Sequence, residues 1–168
     1  IGTKERPIIF TFEGDDVNNP NDVPYNLSGQ WGGVVLCGNA RINTAASTAG
    51  GAANPKYERF EGTTEDGADG VPGSHLFGGG NDDDNSGALR YVSIRHGGAV
   101  LAPNKEINGL SLGAVGRGTT IEYVESYCAA DDGFEFFGGT VNTRYLVSSF
   151  NDDDSFDTDM GYRGTSQF

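Results

Sequence analysis

The sequence predicts an all-β fold, a parallel β-helix (solenoid) whose short strands wind into coils of about 22 residues, and three observations carry that prediction. Glycine supplies 27 of 168 residues, which disfavours long helices. No segment holds apolar residues at i, i+3, i+4 and i+7 over helical length, whereas runs of alternating polarity are common. The third observation is an internal repeat. Tyr91-Val92, Tyr123-Val124 and Tyr145-Leu146 open similar segments, and Asn108 to Leu112 aligns with Asp132 to Phe136 and with Asp154 to Thr158. The spacing is 22 from Phe134 to Phe156, 24 from Leu110 to Phe134, and 32 from Tyr91 to Tyr123, where Gly98 to Lys105 adds a loop. Loops of varying length on a constant frame are what a solenoid tolerates. A leucine-rich repeat would fix Leu at several positions and carry an Asn turn, and a propeller blade needs about twice the residues.

Along the chain, Pro7 to Phe12 and Trp31 to Leu36 read as strands, separated by a polar loop from Glu13 to Gln30. Residues 45–87 read as a loop excursion, partly ordered by Tyr57, Phe60, Val71, Leu76 and Phe77, since a long structureless loop in a compact domain is improbable. The coils follow from Ala88, and residues 1–168 form one β-helix segment. In this register Leu110/Phe134/Phe156, Leu112/Phe136/Thr158 and Val92/Val124/Leu146 stack inward. Ser111/Glu135/Asp157 and Tyr91/Tyr123/Tyr145 face outward, coil on coil at the interstrand spacing of about 4.8 Å.

A formal net charge of −13 argues against nucleic acid and anionic membrane surfaces as partners. No apolar run approaches the roughly 20 residues of a membrane span. Cys37 and Cys128 are too few for a disulfide framework and lack metal-ligand spacing. Register aligns His96 with Cys128, and matching Gly38 to Gly97 adds Cys37 to that row, as small buried side chains. His75 reads as a surface residue.

The acids carry most of the chemistry. Asp82-Asp83-Asp84, Asp131-Asp132 and Asp152-Asp153-Asp154 are clusters, and the register stacks Asp131 on Asp153, Asp132 on Asp154 and Glu135 on Asp157. Two carboxylates about 4.8 Å apart repel by roughly 3–4 kcal/mol at an effective dielectric near 20. Ca²⁺ relieves such a ladder, because it takes carboxylate oxygens at about 2.3–2.6 Å. Asp82, Asp84, Asp131, Asp132, Glu135, Asp153, Asp154 and Asp157 are therefore the candidate ligands of a structural Ca²⁺. Solvated turn acids are the alternative reading. Paired acids also serve glycoside cleavage, with Asp131, Asp132, Glu135 and an Arg as the candidate groove. The Tyr91, Tyr123 and Tyr145 row, with Trp31 and Tyr162 near it, is either a carbohydrate-binding platform or a packed coil edge.

The strings Trp31-Gly-Gly-Val-Val-Leu, Asp84-Asn-Ser-Gly-Ala-Leu-Arg-Tyr-Val, Glu106-Ile-Asn-Gly-Leu-Ser-Leu-Gly, Gly118-Thr-Thr-Ile-Glu-Tyr-Val and Asp131-Asp-Gly-Phe-Glu-Phe-Phe-Gly-Gly resemble a family of secreted bacterial right-handed parallel β-helix proteins. That family is common among exported and surface proteins of the Bacteroidota type and is similar in fold to pectate-lyase-like solenoids. The resemblance implies a right-handed coil, export, and a segment internal to a longer solenoid. It carries very little chemistry. The expected function is a non-catalytic structural or adhesive segment of an extracellular or cell-surface protein. Ca²⁺ is its structural cation, and neighbouring copies or extracellular polysaccharide are its partners, since open strand edges invite stacking. A polysaccharide lyase or glycoside hydrolase and a carbohydrate-binding module are the competing classes.

Overall fold

A computed structural model describes residues 1–43, 56–60, 63, 75–103 and 105–168. Among these residues the regular elements are β-strands: β1 (Ile8–Phe10), β2 (Val34–Cys37), β3 (Lys56–Arg59), β4 (Leu76–Gly79), β5 (Ala88–Arg95), β6 (Val100–Ala102), β7 (Lys105–Glu106), β8 (Leu110–Gly113), β9 (Thr120–Tyr127), β10 (Phe134–Phe137), β11 (Thr143–Ser149), β12 (Phe156–Asp159) and β13 (Ser166–Gln167). Nine of them form two parallel sheets, ordered β1-β5-β9-β11-β13 and β12-β10-β8-β2. From β8 onward each successive strand switches sheet, the chain path of a parallel β-helix. Phe134 pairs with Leu110 on one side and Phe156 on the other, and Val124 pairs with Val92 and Leu146. These are the inward rows the repeat predicts.

The corners explain why the rows stay in step. Tyr91, Tyr123 and Tyr145 sit at φ 52°, 55° and 56°, inside or beside the long strands of the first sheet. His96, Cys128 and Phe150, at 59°, 55° and 58°, end those strands. Ala114, Gly138 and Met160, at 51°, 67° and 48°, end the strands of the second sheet. Left-handed backbone is costly for residues with a Cβ, so a bend repeated at the same place in each coil marks a shared corner. Packing holds these bends in place: the Tyr91, Tyr123 and Tyr145 rings stack at 4.5 Å spacing, and Phe168 continues the stack at 5.4 Å. Gly33 is required where β2 begins, because at φ 80° its added Cβ would lie 2.1 Å from the Asn108 carbonyl oxygen.

The core between the sheets contains Val92, Ile94, Leu110, Leu112, Val115, Ile121, Val124, Phe134, Phe136 and Val141, all buried. A second cluster forms where the antiparallel β3–β4 hairpin meets the second sheet. Phe60 and Phe77 pack at 4.6 Å from each other and at 5.2 and 5.9 Å from Phe137. The sequence reading of 45–87 names Val71 as an anchor; that residue and most of the excursion lie outside the described residues. Tyr57 is exposed rather than packed.

Three expectations need correction. Cys37 pairs with Gly113 in the second sheet, while His96 and Cys128 lie at the end of the first. The Gly38-to-Gly97 match misled because a single glycine occurs at corners of both sheets. Trp31 and Tyr162 are not beside the tyrosine row: Trp31 packs against the core and donates to the Arg95 carbonyl at 2.7 Å. Tyr162 packs 4.6 Å from Phe136 and donates its hydroxyl to the Val141 carbonyl. His75 is buried, drawn under by the hairpin that carries Phe77.

Asp82 is tied across several turns. Its carboxylate meets Arg163 at 2.8 Å and Arg41 at 3.2 Å, and its carbonyl accepts bonds from Thr140 Oγ1 and the Arg117 amide. The Arg163 guanidinium holds its carboxyl well below the usual carboxylate range. A depressed carboxylate stabilises the fold fully above its unfolded value of roughly 4, and that contribution is lost as pH falls further. Asp82→Ala is expected to lower stability by about 1–2 kcal/mol at pH 7, the arginines being half exposed. Urea denaturation checks it, and the loss should shrink by about half in roughly 1 M salt.

Candidate cation cluster

The acidic cluster is built by two stacked positions of the repeat. At the turn before the second-sheet strands, Asn108, Asp132 and Asp154 follow one another coil by coil. Asn108 Oδ1 accepts the Asp132 amide at 3.2 Å, and Asp132 Oδ1 accepts the Asp154 amide at 2.9 Å. Each side chain thus satisfies the backbone of the next coil, which explains why acidic and amide residues recur there. Three residues on, strand pairing sets Glu135 between Ser111 and Asp157. The two positions meet through Asn108, whose Nδ2 donates to Ser111 Oγ at 3.1 Å and to Glu135 Oε2.

Two groups of carboxylates result. In Asp131, Asp132 and Asp153, and again in Asp132, Glu135 and Asp157, one oxygen from each residue lies within 4.8 Å of the others. Asp132 belongs to both. Asp132 is only 7% exposed. Burial, then the neighbouring Asp131 charge, pushes its carboxyl up to about 7. Burial likewise pushes Glu135 up to about 8, against the favourable bond from Asn108. Burial and the neighbouring carboxylates thus favour the protonated forms of Asp132 and Glu135.

The remaining candidate ligands lie elsewhere. Asp154 is exposed at the edge of the same turn but belongs to neither group. Asp82 is engaged by its two arginines, and Asp84 accepts the Ser86 hydroxyl at 2.8 Å. The Ser111/Glu135/Asp157 row faces away from the core as expected, yet Ser111 is fully buried and Glu135 half-buried. The excursion accounts for part of that cover, because Glu58, Arg59, Phe60 and Thr63 oppose Glu135, Phe137, Asp159 and Met160 across a hollow of about 500 Å³. The sequence reading missed Arg59, which no local motif marks; only the hairpin brings it opposite Glu135.

The tyrosine row exists, but its geometry limits what it can hold. With Tyr91 and Tyr123 inclined by 6° and Tyr123 and Tyr145 by 12°, the inner ring faces cover one another and mainly edges face outward. Sugar stacking needs an open ring face.

Two parallel sheets whose strands alternate along the chain define a parallel β-helix. The chain belongs to the pectate-lyase-like beta helix domain family, whose profile matches residues 1–168. Comparison with curated proteins gave no match, and comparison with solved structures gave none.

Proposed function

We propose that the chain is a non-catalytic structural segment of a secreted, cell-surface bacterial β-helix protein, a right-handed solenoid of about 22-residue coils clamped by Ca²⁺. The observation that carries this reading is the gathering of Asp131, Asp132, Asp153, Glu135 and Asp157 from adjacent coils. Oxygens that share one Ca²⁺ lie no more than about 5.2 Å apart, a bound that the oxygens of each group, all within 4.8 Å of one another, satisfy. An ion there replaces the repulsion between coils with a shared ligand. Asp132 is the central ligand, because it serves both groups. The open edges of β12 and β13 offer pairing to further coils or to neighbouring copies.

Thermal unfolding tests this. Millimolar Ca²⁺ is expected to raise the Tm by about 5–10 °C over a chelator-treated sample, as for a ligand near 100 times its Kd. Asp132→Asn should abolish the response. Equal Tm with Ca²⁺ and with chelator would refute the clamp.

One observation favours a second reading, a polysaccharide-active enzyme. Arg59 lines the hollow opposite Glu135, and its Nε is buried without a hydrogen-bond partner among the described residues. Turnover of an acidic polysaccharide, lost in both Arg59→Ala and Glu135→Gln, would replace the structural reading.

A further inference from the structure

Each of three successive coils places one phenol in the tyrosine row, and the backbone fixes its position. Arg90, Glu122 and Arg144 pair just before the row, and Val92, Val124 and Leu146 pair just after it. Tyr91, Tyr123 and Tyr145 are therefore held in register, with no freedom to slip along the strands. Their ring centroids are 4.5 Å apart in both pairs, with planes 6° and 12° from parallel. The run of phenols is bounded on both sides. Ile8 pairs with Val92, which leaves Pro7 in the row's place on one neighbouring coil, and Phe168 stacks on Tyr145 at the other end. Tyr25, Tyr127 and Tyr162 make their ring contacts with Phe150, His96 and Phe136 instead of with another phenol.

Parallel phenols one coil apart are arranged for a particular bond. A tyrosyl radical carries much of its unpaired electron on the two Cε carbons beside the C–OH, in p orbitals perpendicular to the ring. In a stacked pair those lobes point at the neighbouring ring, and in-register coils set like carbons over like carbons. Tyr123 and Tyr145 are 36% and 40% exposed and Tyr91 is half-buried, so a small oxidant reaches the row and the rings have room to splay once joined.

We infer that the row is a site of oxidative tyrosine coupling, in which Tyr123 joins Tyr91 or Tyr145 through a carbon–carbon bond and staples two adjacent coils. The oxidant is hydrogen peroxide, used in one-electron steps by a peroxidase. One peroxide takes a hydrogen atom from each of two phenols and leaves as two waters. The two radicals then pair as one Cε–Cε bond, and each joined carbon loses its ring proton as a proton returns to each oxygen and the rings regain aromaticity. Two hydrogens have left the protein, and both phenols are restored. Well-oriented groups within one molecule react as if at up to roughly 10⁵ M or more, so even a small fraction of that advantage favours coupling within a chain over coupling between chains at micromolar concentration. The row lies on the first sheet, apart from the acidic cluster, and its coupling needs no Ca²⁺.

The test oxidises the full chain at low micromolar concentration with photogenerated ruthenium(III) tris-bipyridyl and persulfate, a small system that performs the same one-electron steps. Chelator is present throughout, so that the result is independent of the Ca²⁺ clamp. Intact-mass spectrometry is expected to show a monomer lighter by two hydrogens, and fragment spectra to join the segment of Tyr123 to that of Tyr91 or Tyr145. Tyr123→Phe keeps the stacked ring but should abolish the in-chain link, because Tyr91 and Tyr145 are two coils apart, about 9–10 Å. Tyr91→Phe and Tyr145→Phe should each leave the other link in place. The urea-unfolded chain should give about tenfold less of both links, having lost the alignment. The bond closes a loop of 32 residues from Tyr91 or of 22 to Tyr145, so the purified linked monomer should melt about 5–10 °C above the unlinked one. In-chain links that survive Tyr123→Phe, an equal yield from the unfolded chain, or oxidation that joins tyrosines only between molecules would overturn the inference. A linked monomer with an unchanged Tm would overturn the staple.

Discussion

Phe134→Ala is expected to destabilise the protein by about 3–5 kcal/mol, the upper range for deleting a large buried side chain. Phe134 is completely buried, pairs with Leu110 on the coil before it, and stacks on Phe156 at 5.3 Å with ring planes 7° apart. Its removal leaves a cavity between two coils, and the backbone ladders on both sides prevent the coils from closing over it. Phe156→Ala removes a ring that is 46% exposed and should cost less than half as much. Denaturant unfolding of the two variants measures the difference. Similar losses at both positions would mean that Phe134 is not enclosed between coils.

Without Ca²⁺, the protein should lose stability as the pH rises from about 5 to 8. Asp132 and Glu135 have folded-state values of about 7 and about 8, above their ordinary carboxylate values. Between the unfolded and folded values the native state binds more protons than the unfolded chain, so the stability falls with increasing pH and levels off once both groups are ionised. Allowing for solvent screening at half-buried Glu135, the fall amounts to roughly 2–4 kcal/mol. Saturating Ca²⁺ should abolish it, because the ion displaces the same protons. Asp132→Asn should flatten the Ca²⁺-free profile and make the variant more stable than the parent at pH 8. A Ca²⁺-free stability that rises over this interval would contradict the crowding of these carboxylates.

The repeat made the second sheet legible in detail. Phe134 and Phe156, or Glu135 and Asp157, can be aligned from sequence because every row of a β-helix obeys the same inside and outside pattern. The cluster was legible for the same reason: Asp132 and Asp154 occupy a turn position whose side chain must accept the next coil's amide. What failed was anything that leaves the coil and returns. Sequence register alone misplaces Cys37, which pairs with Gly113 in the second sheet, because its one anchor is a glycine and glycine suits every corner. Arg59 and the burial of Glu135 depend on a hairpin whose strands pair with each other before packing on the sheet. Asp82 looked like its acidic neighbours, yet Arg41 and Arg163 converge on it from distant turns. Charge identity along a chain says little about which opposite charge folding will bring close.

The most direct measurement is a crystal structure grown in Ca²⁺, with an anomalous difference map calculated at a long wavelength. The expected result is a peak among the carboxylates of Asp131, Asp132, Asp153, Glu135 and Asp157, with oxygens at about 2.3–2.6 Å. A map with no peak between these coils at saturating Ca²⁺, or one with Asp132 and Asp157 turned apart, would contradict the clamp.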